Sequence, residues 1–423
     1  MAKSKKNQPQ ARIEYRIAKI LRDLAAQTEC PPSSLRAYPP QLVNGVAFYL
    51  PEGIRWPPDQ ILEELFKREG YKERFSSKFL GDQISNIFSK FLIEEILDIE
   101  KSLEDLIKEL DNYSEERIIL IRIEGILLHK ICFDLGRVRL SPGDDSLLEE
   151  ITEITDKVID LTLMSEEEKS YSKYELRQQY LERMKGACIA VVKVGAEPIR
   201  AIEVAKEEVR RSMDLLRLGI KAIQGINDRS RIGIAGDHPT ARVEALAISE
   251  LNLNNQIDLV GHPLQVNNQF VDELEKLELF LISEALRKEK CTDLEEAIIR
   301  SIHWFSVAVC QDEKSNAFLL LVVSLEVLFK PNQGSSIAST VAESIAFLLA
   351  RTKEERLETA KLVRKFYGMR SSVAHSGRSS FSEKDLYQLM IISMEVILET
   401  IHRSIETKSQ KELMEEIELI KFS

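Results

Sequence analysis

The strongest constraint on this chain lies in residues 267 to 405, where apolar positions recur three and four apart in one stretch after another. "NNQFVDELEKLELFLISEALRK" (267 to 288) opens the series. "DLEEAIIRSIHWFSVAVCQ", "EKSNAFLLLVVSLEVLF", "SSIASTVAESIAFLLA", "KEERLETAKLVRKFYGMRSSVAH" and "SEKDLYQLMIISMEVILETIHRSIE" follow, with only short polar breaks between them. Each stretch must bury its apolar stripe against a neighbour, and short connections leave antiparallel neighbours as the partners. The sequence therefore predicts an all-helical bundle over residues 269–423.

The rest of the chain reads differently. Residues 1–11 form a lysine-rich tail expected to be disordered. Residues 12–115 read as a mostly helical region: "RIEYRIAKILRDLAAQ", then a proline-punctuated connection with one short strand at Val46 to Leu50, then helical periodicity from Asp59 to about Asp111. Residues 116–268 read as an α+β middle domain. "RIILIRIEGILLHKICFDLGRVRL" is β-branched and glycine-punctuated, helices are expected at 146–160 and 166–186, and "GAEPIRAIEVAKEEVRRSMDLLRLG" is expected to be a helix ending at Gly219. "ARVEALAISELNL" and "QIDLVGHPLQV" read as strands. The fold class expected is mainly α with an α+β middle domain and a C-terminal helical bundle.

Composition narrows function. The net charge is −11 over 423 residues, so a nucleic acid can be met only by a local basic patch, not by a broad face. The longest apolar run, "AFLLLVVSLEVLF", is interrupted by Ser324 and Glu326 and falls short of a membrane span. No apolar stretch follows the basic N-terminus, so no secretory signal is expected and the location expected is cytoplasmic. The five cysteines have no CxxC pair and read as reduced buried thiols. No membrane partner, metal or cofactor is expected. "GIAGDHP" at 233 to 239 lacks the third glycine and the following helix of a phosphate loop, and His129, His262, His303 and His402 read as satisfied imidazoles.

"FYGMRSSVAHSG" (366 to 377) stands apart. An arginine and a histidine a few residues apart are cheap: Arg122 with His129 and Arg231 with His238 have similar spacing. The context of Arg370 and His375 carries the weight. A helix runs into the pair, Gly377 is its expected stop, and Ser382 with Asp385 forms a capping box for the next helix. Between 351 and 378 eight basic residues face three acidic ones, a net of +5, with Arg364, Lys365, Arg370 and Arg378 converging on the turn. A histidine in the last turn of a helix feels the negative end of the dipole, which suits it to proton transfer near neutrality. Arginine offers a fixed fork of donors for phosphate oxygens. Together they can drive attack of an RNA 2′-hydroxyl on its own phosphodiester without a metal. One histidine cannot act on both sides of an in-line displacement, so a two-fold dimer through this edge of the bundle is expected.

Residues 270 to 405 resemble an Apea-like HEPN domain. The resemblance rests on "LLLVVSLEVLF" with Glu326, "STVAESIAFLLARTKEER" and "VRKFYGMRSSVAHSG", which follow that family's order of a glutamate-bearing helix, an R-x-A-x-L-L-like helix and a Y-x-x-R-S-x-x-x-H element. It implies a dimerising helical bundle with Arg370 and His375 as catalytic pair, Tyr367 and Ser371 lining the cleft, and structural roles for Glu326 and Gly377. It further implies RNA as substrate and a metal-independent endoribonuclease of the kind found in antiviral and toxin systems, with a trigger protein or ligand expected at residues 1–268. The chain departs from the family pattern at Ser371, where many active members carry Asn, Asp or His, and at Ser344, where Arg is usual. The alternative is a non-catalytic HEPN RNA-binding or scaffold protein. A free-standing toxin is a third reading, weakened by the large N-terminal region.

Overall fold

The computed structural model describes residues 41–43, 46–48, 57–94, 99–160, 162, 164–228, 230–236, 244–248, 253–257, 263–329, 336–376 and 381–422. The helix expected from Arg12, the basic tail, His238, His262, Gly377 and Arg378 lie outside these residues. The chain is mostly helical with a small sheet region in the middle. It divides into two compact units, Met1–Ile119 with Lys193–Ala205, and Leu120–Val192 with Lys206–Ser423. The sheet strands after Leu120 thus share a unit with the C-terminal helices, whereas the sequence suggests a boundary near 268.

In the first unit β1 (Gln41–Val43) pairs antiparallel with β2 (Val46–Phe48), where one strand is expected. Helices α1 (Pro57–Leu65), α2 (Tyr71–Arg74), α3 (Ser77–Glu94) and α4 (Ile99–Asp111) follow. Their apolar stripes meet in a core that includes Ile61, Leu65, Tyr71, Phe75, Leu80 and Leu110. Tyr71 donates to Asp111 at 2.7 Å and Arg68 pairs with the same carboxylate at 2.9 Å. Glu197, fully buried, accepts from the backbone N–H groups of Ser76, Ile199 and Arg200 and so caps the helix that starts at Pro198.

A five-stranded sheet, most of whose residues fall in the second unit, runs in the order β5 (Phe133–Leu135), β6 (Val138–Pro142), β7 (Cys188–Val194), β3 (Arg117–Glu124), β8 (Gly233–Ile234). The turn from β3 into β4 (Ile126–Leu128) needs Gly125, which has φ +79°; a Cβ there would sit 1.8 Å from the Arg231 carbonyl oxygen. β4 pairs in parallel with β11 (Leu264–Val266), and β9 (Glu244–Ile248) forms a hairpin with β10 (Leu253–Ile257). Every residue of β7 except Lys193 is buried, and no strand was expected there. Helices α5 (Asp145–Asp160) and α6 (Glu166–Arg183) form a hairpin close to the expected limits, α6 opening on a Ser165–Glu168 capping box.

Helix α7 (Pro198–Gln224) runs past Gly219, its expected end. Gly219 is there for close packing, not for termination: a Cβ would lie 2.4 Å from Leu274 Cδ2 and 3.1 Å from Leu279 Cδ1. The stretch 267 to 288 is not one helix but two, α8 (Asn268–Lys276) and α9 (Leu279–Arg287), because Glu278 takes the left-handed conformation (φ 58°). Helices α10 (Asp293–Val309), α11 (Lys314–Glu326), α12 (Ile337–Leu349), α13 (Lys353–Ser376) and α14 (Glu383–Arg403) fall where the periodicity puts them. A further helix, α15 (Gln410–Phe422), lies within the expected bundle of 269–423 but after the last helical stretch picked out by periodicity. α10 packs on α11, α12 on α13, and α11 on α14. Gly136 ties the sheet to these helices: its N–H donates to Ser283 Oγ at 2.8 Å and its carbonyl accepts from Arg287 Nε at 2.7 Å. Among the described residues no helix is long and apolar enough to cross a membrane.

Candidate functional site

Helix α13 buries Ala360, Val363, Phe366 and Val373. Arg370 sits on that same stripe, four residues after Phe366 and three before Val373. A helix stripe of this kind normally points inward, so a guanidinium on it needs a counter-charge. Glu326, the last residue of α11, supplies it: its Oε2 lies 3.7 Å from Arg370 Nη2. The pair is loose, and the Arg370 side chain remains 42% exposed against 22% for Glu326. Tyr367, one turn before Arg370, places a buried hydroxyl near the Glu326 carboxylate without a hydrogen bond of good geometry. Burial, and then the Glu326 charge, push its phenol well above the usual range. Tyr367, Arg370 and Glu326 thus form one polar corner between two helices.

The end of α11 is held from a distance. Gln410, buried at the start of α15, donates through Nε2 to the carbonyls of Val327 and Leu328 at 2.7 and 2.9 Å. The carbonyls of the C-cap residue Val327 and of Leu328 just after it are thereby satisfied. Phe318 on α11 stacks on Phe381 at 4.4 Å and meets Phe366 edge-on at 6.0 Å, fixing α11 against α13.

His375 belongs to the same continuous helix as Arg370 and lies in its last turn, with Ser376 as the final helical residue. Five positions amount to about 1.4 turns. Ser371 is exposed on the helix surface. Arg364 and Lys365, expected to meet phosphate, both have carboxylate partners: Arg364 pairs with Glu343 at 3.4 Å and Lys365 with Asp385 at 2.6 Å. Asp385 is also the capping-box residue of α14, and the Lys365 ammonium and the Ser382 donors hold its carboxyl down at about 2. The expected net charge of this segment is therefore offset in part from α12 and α14.

A second polar cluster was invisible in the sequence. Asp214 on α7 accepts from Ser306 Oγ at 2.6 Å and Arg217 Nη1 at 2.9 Å, and its other oxygen meets His303 Nδ1 at 2.8 Å. Arg217 also donates to the Ile232 carbonyl. The Asp214 hydrogen bond raises the His303 pKa above its ordinary value. Because Asp214 stands between the histidine and the serine, the serine hydroxyl is not activated by the imidazole, and the cluster does not have a nucleophile's arrangement. His402 likewise meets Glu278 at 2.8 Å, and His129 meets Gln265 at 2.5 Å. No family model, curated protein or solved structure matches this chain.

Proposed function

We propose that the chain is a HEPN-type, metal-independent endoribonuclease, with residues 1–268 sensing a trigger or selecting the RNA in an antiviral setting. What supports the reading most is the situation of Arg370: on the buried stripe of its helix, held loosely by Glu326, yet with 42% of its side chain open. A purely structural arginine on such a stripe gains from a close, bidentate pair; this one keeps donors free for an anion. His375 follows in the last turn of the same helix.

In this reading the Arg370 guanidinium binds the non-bridging oxygens of the scissile phosphate and stabilises the charge that builds there. The His375 imidazole takes the 2′-hydroxyl proton as that oxygen attacks phosphorus. The bond from phosphorus to the 5′ oxygen breaks, and His375 of a second copy in a two-fold dimer protonates the leaving oxygen. The products carry a 2′,3′-cyclic phosphate and a free 5′-hydroxyl. Tyr367 and Ser371 line the cleft, while Lys365 and Arg364 act through the helix surface and their carboxylates. The test uses labelled RNA and the full chain in EDTA: cyclic phosphate ends appear, and His375→Ala abolishes them. A requirement for magnesium, or activity that survives the substitution, refutes the reading.

The Arg370–Glu326 pair itself favours a second reading, a non-catalytic HEPN RNA-binding or scaffold protein in which the arginine only joins two helices. That reading expects Arg370→Ala to lower thermal stability clearly and RNA cleavage to be absent from the unaltered chain.

A further inference from the structure

A groove of about 210 Å³ lies between α5, α6 and the outer residue Leu120 of β3. Its hydrocarbon walls are Leu120, Leu148, Ile151, Leu176 and Met184. The hydroxyls that also border it are spent inside the protein. Thr152 donates to the Leu148 carbonyl at 2.7 Å, Thr155 to that of Ile151 at 3.0 Å, and Tyr180 to that of Asp144 at 3.3 Å. The threonines are therefore left to offer methyl groups and acceptor oxygens, but no donor.

The charged side chains that line the groove are Lys173, Arg177 and Arg183, with Asp156, Asp160 and Glu166 acting on Lys173. Lys173 is paired with Asp160 at 2.8 Å, but Arg177 and Arg183 are exposed and have no ion-pair partner among the described residues. Helix spacing gives Arg177 none either: the residues three and four away are Lys173, Tyr174, Tyr180 and Leu181. Arg122, outside the groove lining, donates to the Arg183 backbone carbonyl at 3.2 Å. No carboxylate lines the groove, in a chain whose net charge is −11. Arg177 and Arg183, two exposed guanidiniums without an ion-pair partner among the described residues, border a hydrocarbon trough, and an anion with an apolar body supplies the missing charge and covers the exposed surface.

We propose that this groove binds a free medium-chain acyl carboxylate, its chain in the trough and its head on Arg177 and Arg183. A nucleobase suits the walls poorly, since Gln179 is the one uncharged side chain there whose hydrogen-bond donors are not already committed. The proposal stands apart from the nuclease reading and needs no RNA.

The test is calorimetric titration of the full chain with octanoate, beside octanol (no charge), inorganic phosphate (no chain) and phosphatidylglycerol vesicles. The expected result is one saturable octanoate site, with octanol and phosphate failing to compete. Arg177→Gln/Arg183→Gln should weaken it by about tenfold or more, the size of one lost charge-assisted hydrogen bond, at an unchanged melting temperature. Non-saturating binding, equal binding by the double variant or by octanol, or vesicle binding that octanoate does not displace overturns it. Should the double variant melt early, charge-conserving Arg177→Lys/Arg183→Lys, expected to restore binding in part, decides the matter.

Discussion

Arg370 Nη2 and Glu326 Oε2 lie 3.7 Å apart, while Lys365 and Asp385, on the opposite flank of the same helix, close to 2.6 Å. The two pairs divide the labour of α13. One is tight and includes the capping-box residue of a neighbouring helix; the other is long and leaves the Arg370 side chain 42% exposed.

Glu326→Gln separates charge from shape. The pair is partly exposed and long, so folding should lose no more than about 1 kcal/mol. Freed of its carboxylate, Arg370 should bind RNA more tightly. Filter binding at two salt concentrations, with a melting curve, measures both; weaker RNA binding at unchanged stability would tell against an RNA-facing Arg370.

Asp385→Ala should cost about 1 kcal/mol through loss of the capping box of α14. Its carboxyl is held at about 2 in the folded chain, below the unfolded value of about 3.9. The contribution is thus full above pH ~4 and disappears as pH falls toward the folded value. Urea midpoints of wild type and variant should converge at the acid end of that window and stay apart at pH 7.

His303 works in the opposite sense. Its folded pKa is raised by Asp214, so its contribution is full below the unfolded value of about 6.5 and is lost as pH rises through the folded one. An NMR titration of the imidazole should show the raised value, and Asp214→Asn should bring it down. Asp214→Ala should destabilise by about 3–5 kcal/mol, because the buried Arg217 loses its carboxylate.

Gly219→Ala sets two effects against each other. Alanine is the better helix former by about 1 kcal/mol. The added methyl, however, falls 2.4 Å from a buried leucine, and overpacking of that kind costs about 1–3 kcal/mol. The clash should win, and chemical denaturation should show a net loss.

These residues also mark how far the sequence could be read. The helices of the C-terminal third were legible because each carries a stripe that has to be buried, and the limits of α13 put Arg370 and His375 in one helix end as expected. The strand β7, "CIAVVKV", escaped because a strand covered on both faces shows no alternation. Gly219 misled because a glycine admitted for close packing looks the same in sequence as one that stops a helix. The carboxylates facing Arg364 and Lys365 escaped for a different reason: Glu343 and Asp385 lie 21 and 20 residues away, and only the packing of separate helices brings them near. Asp214 and His303, 89 residues apart, met by the same route.

Gln410 adds a matter of timing. The carbonyls that close the helix bearing Glu326 find their donor in a residue 83 and 82 positions further along the chain. During synthesis the glutamate's helix is therefore made long before its clasp. Until residue 410 has emerged and folded back, the Val327 and Leu328 carbonyls lack that donor, and the wall bearing Glu326 leans on the packing of Phe318 against Phe366 and Phe381. A growing chain completes that corner late.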